Sequence, residues 1–178
     1  MSPRGVEIER KFRLRAAPDA AVLTAHGAVA KRIEQVYLRL EASTRPDAPE
    51  AERVRRTELA DGTVTYRRTT KRRVGAFSFD EVEDAIREAD WVAAMARADP
   101  DRRAVRKTRH VVAHGAQALE IDVFATPPDL VVVEVELRDE AEAVELPDWL
   151  GEWREVTGDH RYFNASLALR DAEVPPYA

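Results

Sequence analysis

The chain contains no cysteine. Disulfides, thiolate metal centres and a cysteine nucleophile are therefore excluded. Histidine is scarce, with 4 in 178 residues. His110 and His114 show no His–His or His–Asp spacing and read as ordinary polar residues; His26 reads as a helix-end residue and His160 as a local cap. Long apolar runs are missing as well. The apolar-rich stretch VVVEVEL carries glutamates, and nothing approaches the ~20 residues that a membrane span needs. The opening MSPRGVEIER has no apolar run before its charges, unlike a secretory leader. A cytoplasmic protein without a membrane partner is expected. Positive charge is not in surplus either: 28 Lys+Arg face 33 Asp+Glu, a formal net charge of -5. General nucleic-acid affinity needs a basic domain, so no nucleic-acid partner is expected. The run Lys71-Arg72-Arg73 is read as a solvated strand end.

What is present is enough apolar material for a core and a heavy load of charge. Hydrophobic residues make up 44% and charged residues 34%, the latter above the usual quarter. The length suits one domain, 1–178, burying roughly 70% of its unfolded surface, with 171–178 as a loose tail. Proline and aspartate starts, near-helical apolar spacing and the Asp99-Pro100 stop predict helices over 18–29, 84–98, 148–153 and 159–169. Trp91, Trp149 and Trp153 fall on these helices as packing residues. Between the helices run eight segments of alternating character: 6–12, 35–41, 52–58, 63–71, 76–83, 103–112, 118–124 and 130–137. Asp61-Gly62 marks a hairpin, and His114-Gly115-Ala116 and Thr126-Pro127-Pro128-Asp129 mark breaks. Loop 42–51 has the composition of a mobile connection.

A strand puts alternate side chains on one face, so the first segment, VEIERKF, lines up Glu7, Glu9 and Lys11. The same sorting gives sign-pure sets elsewhere: Arg53 with Arg55, Arg67 through Thr69 to Lys71, Glu81 with Glu83, Lys107 with Arg109, Glu120 with Asp122, and Glu134 with Glu136. Any one of these suits the wet face of an amphipathic strand. The full series does not suit ordinary surfaces, which mix their signs. Neighbours on one face lie ~6.8 Å apart. There, like charges repel by ~0.6 kcal/mol in bulk water but by ~2.4 kcal/mol at an effective dielectric near 20. Outside, the doublets cost little; gathered inside, they demand counter-ions. An eight-stranded barrel has room for side chains or one small ligand. The expected fold class is α+β, a closed eight-stranded antiparallel β-barrel: a tunnel with a charged interior and helices packed outside.

Carboxylate clusters without cysteine suit hard divalent cations such as Mg²⁺, Mn²⁺ or Ca²⁺. Arginine and lysine clusters suit phosphate oxygens. A metal-chelated polyphosphate needs both walls at once, and its hydrolysis asks mainly for positioning and charge neutralisation.

The ordered motifs also resemble a known family. Glu7-Ile8-Glu9-Arg10-Lys11, Gln35-Val36-Tyr37-Leu38, Arg53-Val54-Arg55, Thr69-x-Lys71, Glu81-x-Glu83, Lys107-x-Arg109, Glu120-x-Asp122, Glu134-x-Glu136 and the stretch from Val156 to Asn164 follow the order seen in the CYTH superfamily, the triphosphate tunnel metalloenzymes. The resemblance spans residues 6 to about 168. It implies a tunnel of eight antiparallel strands and phosphohydrolase or cyclase activity on a small-molecule triphosphate, with Mg²⁺ or Mn²⁺ as cofactor. Carried over by position, Glu7, Glu9, Asp122, Glu134 and Glu136 are metal-site residues, and Lys11, Arg53, Arg55, Lys71, Lys107 and Arg109 are phosphate ligands. Glu7, Glu9 and Lys11 make up the catalytic set. Glu81, Glu83 and Glu120 either join the metal or tune charge, and Phe79 stands where short bacterial members carry arginine.

Within the superfamily, the compact size and the Asp159…Tyr162-x-Asn164 ending are most similar to bacterial inorganic triphosphatases, which implies tripolyphosphate as substrate and a monomer or homodimer. Thiamine-triphosphatase and class IV adenylate cyclase chemistry compete on the same tunnel. A non-catalytic polyphosphate- or nucleotide-binding module is the alternative from another class. Tyr162 and Asn164 are read as anchors of the terminal helix.

Overall fold

The computed structural model describes residues 4–6, 8–40, 50–73, 79–139 and 141–177. Alternation translates into strands: β1 (Arg4–Val6), β2 (Ile8–Leu14), β3 (Val29–Tyr37), β4 (Ala51–Leu59), β5 (Val64–Arg73), β6 (Phe79–Ile86), β7 (Val105–His114), β8 (Gln117–Thr126), β9 (Val131–Leu137) and β10 (Trp153–Glu155). Gly62 (φ 85°) turns β4 into β5 and Gly115 (φ 60°) turns β7 into β8, the left-handed conformation that glycine adopts without a Cβ penalty. β3 starts well before the predicted residue 35. Its register puts Lys31 on the face of Ile33 and Gln35 and leaves Val29 63% exposed, so the apolar-polar rhythm is masked.

The helices are shorter than predicted. α1 covers Ala20–Ala25 only. β6 runs through Ile86, opposite Tyr66, so α2 begins at Glu88 and ends at Ala94, followed by a 3-10 turn at Met95–Arg97. Asp90 Oδ2 accepts the Arg87 N–H at its start (3.3 Å). The predicted 148–153 helix is a 3-10 turn at Asp148–Leu150, and Trp153 lies on β10, edge-on to Phe12. Phe163, in extended conformation, breaks the predicted 159–169 helix into a 3-10 turn (His160–Tyr162) and α3 (Asn164–Leu167). Asp159 does cap, accepting the Arg161 N–H.

All strand pairs are antiparallel, in the order β1-β6-β5-β4-β3-β7-β8-β9-β2-β10. The closed eight-stranded barrel expected above is therefore not formed: the ladder among the described residues has two ends, β1 and β10. The reason lies in the first segment, which divides at residue 7. Arg4–Val6 pairs with β6, and Ile8–Leu14 pairs with β9. The remaining edge of β2, at Phe12–Leu14, is taken by β10. The sheet still curls back on itself. Val6 pairs with Asp80 and Ile8 with Leu137, and two residues of chain span at most ~7 Å.

Curling creates an outer and an inner face. On the outer face Phe12, Leu14, Val112, Leu119, Ile121, Val133 and Val135 form one core, covered by Leu23 of α1 and by Leu150. At one end of the inner face Tyr37, Val105, Phe124 and Val132 form a second core with Val156, Tyr162 and Leu167 from the C-terminal segment. The tail expected to be loose is docked. Val174 packs against this second core, Pro175 is buried, Arg13 Nη1 donates to the Pro175 carbonyl, and Arg13, Arg15 and Arg154 surround the Tyr177 ring. Glu7, loop residues 42–49 and the Phe79 side chain lie outside the described residues.

Candidate active site

Cross-strand partners in an antiparallel sheet point to the same side, so the register decides which charges meet. Across β2, β9 and β8 it sets Glu9 opposite Glu136, and Lys11 opposite Glu134, itself opposite Glu120. Asp122 sits opposite Arg109, which faces Lys31 of β3. Gln35 faces Arg55, which faces Arg67 of β5; Arg53 faces Thr69 and then Glu83, and Lys71 faces Glu81. Thus Glu9, Lys11, Arg53, Arg55, Lys71, Glu81, Glu83, Lys107, Arg109, Glu120, Asp122, Glu134 and Glu136 share the inner face, as the alternation predicted. Several are deeply buried: Lys11 4%, Lys107 4%, Arg109 8%, Asp122 0% and Glu134 8% exposed. Charges at that depth require partners.

They have them. Lys11 Nζ lies 2.7 Å from Glu134 Oε1 and 2.9 Å from Glu9 Oε1. Burial alone would lower its pKa, but the two carboxylates hold it above the ordinary lysine value. Burial would likewise raise Glu134, yet Lys11, Lys107 and Arg109 hold it well below the usual carboxylate range. Lys107 Nζ is 2.5 Å from Asp122 Oδ2. Burial, with Arg109 nearby, still pulls that ammonium below its ordinary value despite Asp122. Arg109 forks onto Asp122 at 2.6 Å from both Nε and Nη2 and also pairs with Glu120 and Glu134. The C-terminal segment reaches this cluster through Asn164 of α3, whose Oδ1 lies 3.5 Å from Lys107 Nζ.

The other wall is different. Lys71 Nζ lies 2.5 Å from Glu81, and Arg53 3.5 Å from the same carboxylate. Glu83 takes Arg67 at 2.9 Å and Thr69 Oγ1 at 3.1 Å. Arg55 reaches Glu83 only at 3.9 Å, and its Nε is shut off from solvent without a hydrogen-bond partner. Burial, together with Arg53 and Arg109, pulls the Arg55 pKa down to about 10. It stays charged at neutral pH and is poorly compensated. An under-neutralised guanidinium in a basic wall is a site for an anion.

Residues 5–170 match the CYTH domain family. The chain belongs to this family. An inorganic triphosphatase of Nitrosomonas europaea is 35% identical over 92% of this chain and 97% of its own. One of Acetivibrio thermocellus is 38% identical over 68 residues, 38% of this chain and 42% of that protein. A crystal structure of an inorganic triphosphatase superposes with a TM-score of 0.58 at 32% identity, covering 96% of this chain and 97% of that one.

The CYTH motifs account for most of the inner face, with gaps. Glu7 lies outside the described residues, and Glu136 stands opposite Glu9 at the exposed rim. Among the described residues no three acidic or histidine side chains are gathered as a metal cage; Glu134 and Asp122 are instead held by Lys11, Lys107 and Arg109. The donor set is nonetheless oxygen-only, as hard divalent cations require. Sequence reasoning missed Lys31, which burial pulls below the ordinary lysine value, because β3 was started too late. It also gave no site role to Gln35, which is 0% exposed and donates from Nε2 to Tyr37 Oη at 3.2 Å. Trp91 packs on Tyr66 and Trp149 stacks on His26, so both serve packing.

Proposed function

We propose that this chain hydrolyses a small triphosphate, inorganic tripolyphosphate foremost, within the curled interior and with a divalent cation as cofactor. The observation that carries this reading is Arg55, a half-buried guanidinium whose nearest carboxylate stands 3.9 Å away, flanked by Arg53 on its own strand and by Arg67 and Lys71 on β5. The names of the relatives support the same substrate.

In this reading Arg53, Arg55, Lys71, Lys107 and Arg109 bind the phosphate oxygens, Arg by forked hydrogen bonds and Lys as a point charge. Glu9, Glu134 and Glu136, with Asp122 and Glu120 behind them, would hold the cation, and Glu7 belongs with them by position. When bound, a divalent ion neutralises phosphate charge and lowers the pKa of a coordinated water. Arg55 and Arg109 stabilise charge that builds on the leaving group. Lys11, held between Glu9 and Glu134, keeps Glu134 ionised and orients both carboxylates.

Phosphate release from tripolyphosphate, ATP and thiamine triphosphate, each with Mg²⁺ or Mn²⁺, tests this. Tripolyphosphate is expected to be hydrolysed fastest, and only with metal. Arg55→Ala should raise KM by roughly tenfold to a hundredfold, the loss of one charge-assisted contact. No release from any substrate with either metal would overturn the reading.

A further inference from the structure

We propose that Glu81 and Glu83 are resident counter-ions of the basic wall, occupying in the ligand-free protein the places that phosphoryl groups take, and that they thereby select long phosphate chains over short ones. This rests on the reading of the interior as a triphosphate site.

Position is the first ground. Both carboxylates project from β6 onto the residues that would bind phosphate. Glu81 pairs with Lys71 at 2.5 Å and Arg53 at 3.5 Å. Glu83 pairs with Arg67 at 2.9 Å, accepts from Thr69 at 3.1 Å and lies 3.9 Å from Arg55. The carboxylates suited to a cation are on the other wall, on β2, β8 and β9. Energetics is the second ground. Without Glu81 and Glu83, the positive side chains of β4 and β5 would face one another in a partly desolvated space, where like-charge repulsion is several times stronger than in water. The carboxylates remove that strain, but they also compete with any incoming anion.

The competition depends on anion size. Alternate residues on a strand are ~6.8 Å apart, so the two carboxylates guard separate sets of cations. An orthophosphate displaces one and is repelled by the other. A chain of three phosphoryl groups reaches both sets, and its larger charge replaces both carboxylates. Pyrophosphate, a product, is held weakly and leaves.

Calorimetry in EDTA, without metal, tests this with tripolyphosphate, pyrophosphate and orthophosphate as titrants. The proteins are the wild type, Glu81→Gln, Glu83→Gln and, as a control on the outer face, Glu88→Gln, whose carboxylate accepts from Tyr66 Oη. Thermal unfolding confirms that each is folded; either glutamine variant alone suffices. Pyrophosphate should bind Glu81→Gln and Glu83→Gln about tenfold or more tighter than wild type. The preference for tripolyphosphate should narrow, and Glu88→Gln should match wild type. Unchanged or weaker pyrophosphate binding in both inner-face variants would overturn the counter-ion role alone. Absence of binding by every protein, wild type included, would overturn the basic wall and the counter-ions with it.

Discussion

At the residue scale the decisive contact is the buried pair of Lys11 and Glu134. Breaking a buried pair costs about 3–5 kcal/mol when it strands a charge. Here Glu9 remains 2.9 Å from Lys11, so Glu134→Gln should cost about 2 kcal/mol at pH 7. Glu134 is depressed in the folded state. Its contribution is therefore present above its unfolded value near 4.5 and is lost as pH falls through the lower folded value. Lys11 is raised, so its share is full below about 10.5 and is lost only at more alkaline pH. Urea midpoints of wild type and Glu134→Gln should thus differ at pH 7 and draw together as pH falls below about 4.5 and wild type loses the pair. A gap that does not narrow on acidification below that point would show that the pair contributes no ionic stability.

At the scale of elements, the C-terminal strap is where the sequence misled. PPY looks like a loose end because nothing in it is amphipathic. Its anchors lie far away, in the guanidiniums of Arg13, Arg103 and Arg154, which donate to the carbonyls of Pro175, Ala172 and Pro176. Residues 171–177 also lie beyond the CYTH match, so the family pattern could not reveal them. Tyr177 offers its ring face to three arginines, and Tyr177→Ala should lower stability by about 1 kcal/mol and Tm by about 3 °C. Tyr177→Phe should leave Tm unchanged, since the ring is what the cations use. A Tm for Tyr177→Ala equal to wild type would mean that the strap is not held by the ring. Strands were more legible. β4, β7, β8 and β9 match expectation within a residue or two because like charges recur at alternate positions in each, as in Arg53 with Arg55, Lys107 with Arg109, Glu120 with Asp122 and Glu134 with Glu136. β3 begins earlier than expected because Lys31 and Gln35 put polarity on its inner face while Arg32 and Glu34 put it on the outer, and β10 is too short to carry any period.

For the whole molecule, the convergence of charges was legible and the closure was not. Alternation fixes which side chains share a face, whereas the split of the first segment between β6 and β9 is a matter of long-range pairing that no local pattern encodes. The consequence is an interior bounded by two walls that oppose across a curled, unclosed sheet: carboxylates on β2, β8 and β9, cations on β4 and β5. A polyphosphate with its cation would bridge them, so binding should tighten the fold as a whole. A ligand at 100 times its Kd adds ~2.7 kcal/mol, and a chain of this size gains about 2–4 °C per kcal/mol, giving a Tm rise of about 5–11 °C with tripolyphosphate and Mg²⁺. Sulfate at equal ionic strength should give a small fraction of that, because it spans neither wall. Exposed ion pairs such as Arg15 with Glu152 contribute little and are weakened further by salt. The buried walls are less screened, so the shift should survive moderate salt. A tripolyphosphate shift no larger than that of sulfate, measured by calorimetric melting, would mean that the two walls do not act on one ligand.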